Sequence, residues 1–280
     1  MGQHIGKRRV ALSQRFKNAK YPNDQLNANS STLIAGSSNN NEVYSWVCPQ
    51  RVYEAHVVAI GGGGGGHAAP FTGTTTPGGN SYFIDTNTVA GFGGSEANMS
   101  GGVVAPGGGF VGDGGGHGGF GNYIAAGTGG RGGGAGGYSA NGSPGATSST
   151  DSLDPGGGAG AGGGQNVSRP GGGVGAFGEG VSGINGTAGS GGSQADVQGV
   201  NYVHVSTEYG GGGGGRSNGS GGAGGGLGWK NNIPVVPGRT YTIQVGGRGE
   251  SNSQQFLYSG GYGAVRVISG DNRSFPDNAT

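Results

Sequence analysis

The sequence predicts an all-β protein: a small antiparallel β-sandwich formed by both ends of the body, with a long glycine-rich insertion packed as polyglycine II helices. Three observations lead there. Residues 61–230 hold 66 of the 77 glycines, and a segment without side chains cannot build an ordinary apolar core. Hydrophobic residues make up 31% of the chain, well short of the near-half usual in globular domains. Short segments with the two-residue alternation of strands flank the glycines on both sides.

Residues 1–41 are expected to be a basic anchoring arm and tether. Lys7, Arg8, Arg9, Arg15, Lys17 and Lys20 all precede the first acid, Asp24. The remaining chain has nine basic and 14 acidic residues, a balance of −5. Ile5, Val10, Leu12 and Phe16 are spaced loosely as on a short amphipathic helix, Tyr21-Pro22 breaks it, and NANSSTLIAGSSNNN follows as a polar tether. So polar a head gains order from a partner; Lys7, Arg8, Arg9 and Phe16 are its candidate anchoring residues. Nucleic acid is not the expected partner, because no basic cluster is interleaved with stacking aromatics elsewhere.

Residues 42–60 and 229–280 form the expected sandwich base. In EVYSWVC, Val43, Ser45 and Val47 alternate with Tyr44, Trp46 and Cys48. Pro49 interrupts, and Val52 to Ile60 reads as a second strand. At the other end Tyr241, Ile243 and Val245 alternate with Thr242 and Gln244 after a Pro237-Gly238 turn, and GAVRVIS makes a further strand. Flanks that form one unit bring the ends of residues 61–228 together, which a linker between two units would not do.

Ordering glycine costs more backbone entropy than ordering any other residue, so dense backbone pairing is needed in return. Glycine runs adopt the extended threefold geometry of the polyproline II type. Without a Cβ they pack side by side and exchange N–H to C=O bonds. Each bond is worth only about 1 kcal/mol net, so many must form together; a disordered linker is the competing possibility. Collagen is excluded, since glycine does not recur at every third position and there are only 11 prolines.

Other residue types mark loops: HAAPFTGTTTP, Asp85 to Thr88, residues 141–155, residues 165–170, and the strand-like QADVQGVNYVHVSTEY of 194–209. Phe92, Phe110, Phe120, Tyr123, Tyr138 and Phe177 punctuate the glycines and are expected to cap their faces. Loop-borne Phe71, Tyr202 and Tyr209 offer rigid amphipathic area for a ligand.

Little of the chain reads as catalytic, and no enzyme activity, cofactor or metal site is expected. The histidines, His204 included, lack the spacing of a ligand set. Asp151 and Asp154, the latter before Pro155, read first as turn formers. GxGxxG recurs by composition alone, with no GxxxxGK[ST] and no helix after it. The single cysteine, Cys48, excludes an intramolecular disulfide. No apolar run approaches the ~18 residues that span a bilayer, and no apolar stretch of a signal peptide follows the basic start.

The pattern WVCPQRVYEAHVVAIGGGGGG resembles the opening of the glycine-rich domains of phage tail-fibre proteins. GGAGGGLGWKNNIPVVPGRTYTIQVGGRGES and SGGYGAVRVISGDNRSFP resemble their closing boundary, so the likeness spans about residues 43–276. It implies a phage virion protein, with tail-fibre tip adhesins as relatives whose distal loops contact a host surface protein or glycan. On that basis the receptor-binding candidates are Phe71, Asp151, Asp154, Tyr202, His204 and Tyr209, and the arm attaches to other virion proteins. Residues 1–41 do not match the attachment domain of those adhesins. The alternative is a non-receptor virion component, a decoration, baseplate or filament subunit assembling through the arm; an extracellular matrix protein of a cell would need an export route.

Overall fold

A computed structural model describes residues 29–68, 72–97, 104–123, 129–145, 170–183, 189, 209–215, 219–252 and 258–279. Ten strands follow in chain order: β1 (Ser30–Ala35), β2 (Glu42–Val47), β3 (Glu54–Ile60), β4 (Ser81–Phe83), β5 (Val89–Gly91), β6 (Phe110–Val111), β7 (Gly114–Gly116), β8 (Leu227–Pro234), β9 (Thr240–Val245) and β10 (Ala264–Ser269). They make two five-stranded antiparallel sheets, ordered β1-β10-β3-β8-β7 and β2-β9-β4-β5-β6.

The alternation that predicts the strands also builds the core between the sheets. Trp46, Phe83, Val89, Ile243 and Val245 point from the second sheet toward Ala55, Val57, Val265, Val267 and Ile233 of the first. Burying each of the larger of these side chains is worth about 1.5–3 kcal/mol. The Trp46 and Phe83 rings meet edge-on at 5.6 Å. The Pro237-Gly238 turn carries the chain from β8 in the first sheet to β9 in the second, with Gly238 at φ 78° and its N–H bonded to the Cys48 carbonyl at 2.8 Å.

The first sheet is covered on its other face as well. Val58, Ile60, Leu227, Ala264 and Ile268 pack there against Tyr138, Val174, Ala176, Tyr209 and Phe275. Such two-sided burial explains why β3 and β10 read as nearly continuous apolar runs. Arg266 lies within that second core, 3% exposed. Its Nε donates to Ser31 Oγ and its Nη1 to the Ala176 carbonyl, both at 3.2 Å. The Phe177 ring sits 4.3 Å from the guanidinium carbon.

Two expected boundaries are corrected. Residues 30–35, which read as part of a tether, form β1, paired through Ser30↔Ser269 to Ala35↔Ala264; Ile34 packs on the inter-sheet core. The base is also not confined to 42–60 and 229–280. Strands β4, β5, β6 and β7 come from within 61–228, because SYF and VAG are short apolar segments that complete the sheets between glycine runs.

Candidate binding surface

The pairing of β3 with β8 ends at Ile60↔Leu227 and runs directly into the glycines. Gly61, Gly64 and His67 donate to Gly226, Ala223 and Ser220, each at 2.9 Å. Gly62 and Gly65 donate instead to Gly79 and Thr76, and Gly63 and Gly66 to Gly261 and Tyr258. The donor therefore turns to a new neighbour at each residue and returns after three. That is the rotation expected of a threefold extended helix at about 3.1 Å rise per residue.

Acceptors complete the ring. The carbonyls of Gly62 and Gly65 accept from Gly94 and Ala97, that of Gly63 from Gly249 and that of Gly64 from Gly213. Segment 61–67 is thus surrounded by six backbone segments. Segment 219–226 repeats the pattern, donating in rotation to 119–122, 210–213 and 92–95 while accepting from 61–67, 130–136 and Gly108. Two central segments, adjacent and antiparallel, organise the packing. At the glycine positions a side chain is excluded by distance: a Cβ on Gly63 would lie 1.9 Å from the Gly211 oxygen.

This packing gives the molecule two ends roughly 19 Å apart over the six steps from Gly61 to His67. The near end adjoins the sheets. At the far end the described chain stops and resumes around 69–71, 98–103, 124–128, 216–218 and 253–257, and it leaves Gly145 toward 146–169. A groove of about 460 Å³ opens there between Thr72–Thr75, Ser95–Ala97 and Val104–Pro106. Thr75 Oγ1 donates to the Ala97 carbonyl at 2.7 Å and Ser95 N–H to the Pro106 carbonyl at 3.1 Å, so the walls are tied by short bonds. Hydroxyls, the Glu96 carboxylate and the Val104–Pro106 side offer a mixed polar and apolar lining. Nearby, Asn252 clamps Ala68 through both ends of its amide, at 2.8 and 3.2 Å. His67 is buried, which lowers its pKa by desolvation, and its Nε2 has no partner among the described residues.

A second, more polar cleft of about 490 Å³ lies at the opposite pole, lined among others by Glu54, His56, Asn232, Asp271, Arg273 and Asn278. Arg273 Nη1 ties the carbonyls of Ser30 and Ser269 at 2.7 and 3.2 Å. The cleft therefore flanks the point where the described chain begins. Burial lowers the pKa of His56, whose Nδ1 accepts from Asn232 N–H at 3.3 Å.

Of the sequence-derived receptor candidates, Phe71, Asp151, Asp154, Tyr202 and His204 lie outside the described residues, as do the anchoring candidates Lys7, Arg8, Arg9 and Phe16. Phe71 directly precedes Thr72 of the groove. Tyr209 is corrected: it is 2% exposed, exchanges backbone bonds with Val174 and packs in the second core, so it supports the fold from within. Asp85 to Thr88 is the β4–β5 turn, with Asp85 Oδ1 accepting from Asn87 N, Thr88 N and Thr88 Oγ1. Among the aromatics expected to cap the glycines, Tyr138 is buried, while Phe120 and Phe177 are half exposed.

The groove joins a segment that reads as a loop, HAAPFTGTTTP, to two residues that carry no sequence signal of their own, Glu96 and Pro106; only the packing brings them beside it. Among the described residues no group of three or more His, Cys, Asp or Glu could hold a metal ion, and no helix is long and apolar enough to cross a membrane. No protein-family model, curated protein or solved structure matches the chain.

Proposed function

We propose that the chain is a non-enzymatic phage virion protein, a tail-fibre tip adhesin that binds a host surface protein or glycan through loops carried on a polyglycine II scaffold. The observation that carries this reading is the opposition of the two ends. The described chain begins at Asn29, beside the polar cleft, whereas the breaks around 69–71, 98–103, 124–128, 216–218 and 253–257 fall at the far end. Between them a glycine-dominated lattice, bonded backbone to backbone, acts as a stiff spacer. Residues 1–28, with the anchoring candidates, meet the fold at the near pole, where other virion proteins attach. The groove of Thr72–Thr75, Ser95–Ala97 and Val104–Pro106 and the segments beside it face the host. Modest affinity at each copy multiplies when several copies engage one cell.

Adsorption of particles carrying altered chains tests this. Exchanging residues 146–155 and 194–208, which leaves buried Tyr209 and the bonded stretch 142–145 in place, for those of another such chain shifts host range. Glu96→Ala with Thr74→Ala lowers adsorption severalfold while leaving the melting temperature unchanged. Unchanged adsorption after all of these exchanges would sink the receptor role and leave the structural-subunit alternative.

A further inference from the structure

The two flanks of the sandwich are finished differently. On one side the edges are β6, of two residues, and β7, of three. Between them Asp113 binds Lys230 Nζ at 3.4 Å and Asn231 N–H at 2.9 Å. Short strands and a charge are the usual means of blocking a sheet edge. On the other side β2 runs six residues with an unbroken register against β9, its only strand partner among the described residues. It contains no proline and no bulge. Its one charge, Glu42, sits at the end and is held by Ser37 N and Oγ and by Tyr44 Oη at 3.0–3.1 Å. Its outer face shows Val43 and Val47, 66% and 58% exposed.

The sequence of this open edge is nearly palindromic in character: Val43-Tyr44-Ser45-Trp46-Val47. A second copy laid antiparallel and centred on Ser45 sets Val43 against Val47 of the other copy, twice, on the outer face. Tyr44 falls against Trp46 on the inner face. Glu42 falls against Cys48, so the two carboxylates stay at opposite ends. Apolar and aromatic cross-strand pairs are favourable and like charges facing each other are not. A self-complementary strand related by a twofold axis is the ordinary basis of a closed dimer.

We infer that two copies of this chain associate through β2, antiparallel about Ser45, joining their five-stranded sheets into one continuous sheet. This stands apart from the virion role, since it rests only on the edge and its pattern. Sedimentation velocity of the full chain tests it, with twice the 27.0 kDa chain mass expected at tens of micromolar. Val43→Lys with Val47→Lys places lysines opposite one another and weakens the dimer about tenfold or more. Val43→Lys with Val47→Glu places opposite charges at the same two contacts and restores it. Both side chains are exposed, so circular dichroism stays as in the unaltered chain and melting falls only by the stabilisation that association supplies. A single-chain mass at all concentrations overturns the inference and leaves the edge to a strand from another protein. A dimer indifferent to the two lysines, or one that the Lys/Glu exchange does not recover, overturns it as well.

Discussion

Replacing Gly63 by alanine tests the glycine packing at its centre. The new Cβ would stand 1.9 Å from the Gly211 oxygen and 2.5 Å from its carbon, so segments 61–67 and 210–213 must part by more than 1 Å. Overpacking of this kind costs about 1–3 kcal/mol. Parting also breaks the bond from Gly213 N–H to the Gly64 carbonyl, and an unsatisfied buried backbone group adds about 1–3 kcal/mol. The sum, about 2–6 kcal/mol, is a large share of the ~5–15 kcal/mol that holds most domains folded. At roughly 2–4 °C per kcal/mol for a domain of this size, thermal unfolding should move down by about 5–20 °C. Gly109→Ala is the matched control, because its Cβ would meet nothing closer than 3.6 Å. It should stay within about 1 kcal/mol and can gain from the stiffer unfolded chain. If both variants melt alike, close backbone approach is not what selects glycine in this region.

The other perturbations address the cores and the histidines. Trp46→Ala empties the inter-sheet core and should cost about 3–5 kcal/mol by denaturant unfolding. Arg266→Ala removes bonds to Ser31 and Ala176 and should cost about 2–4 kcal/mol, whereas Phe177→Ala, which loses the ring over the guanidinium, should cost about 1 kcal/mol. His56 and His67 both have pKa values lowered by burial, so the unfolded chain binds protons more readily there. Stability is full above the unfolded value of about 6.5 and falls as pH drops through it toward the folded values. A melting series from pH 7.5 to 5 should show that loss, and His67→Gln should flatten it; an unchanged slope would mean that His67 contributes nothing to the pH dependence.

Much of the sandwich is legible in the sequence. Val57, Val265, Ile243 and Trp46 face the core that their alternation implies, because a strand's period of two is local and visible in five or six residues. The Pro237-Gly238 turn is legible for the same reason. Strand β1 is not, because SSTLIA sits in a run of Asn and Ser, and only β10 beside it gives the segment a reason to extend. Tyr209 reads as a loop-borne aromatic because it closes the non-glycine stretch 194–209. In the folded chain the glycines that follow it pack so closely that the ring is sealed against Val174 and the first sheet.

Composition and alternation are enough to establish that the chain is all-β, that its flanks make sheets, and that its middle can be ordered only by backbone pairing. They do not say which glycine segments are neighbours, that 61–67 and 219–226 lie at the centre, or that five breaks in the described chain, from 69–71 to 253–257, fall at the end away from the sheets; those follow from the three-dimensional packing. The reason is the missing side chain. A run of glycines carries no pattern to say which face turns where, so partners far apart in the chain are chosen by hydrogen-bond register, and that register exists only once the segments lie side by side.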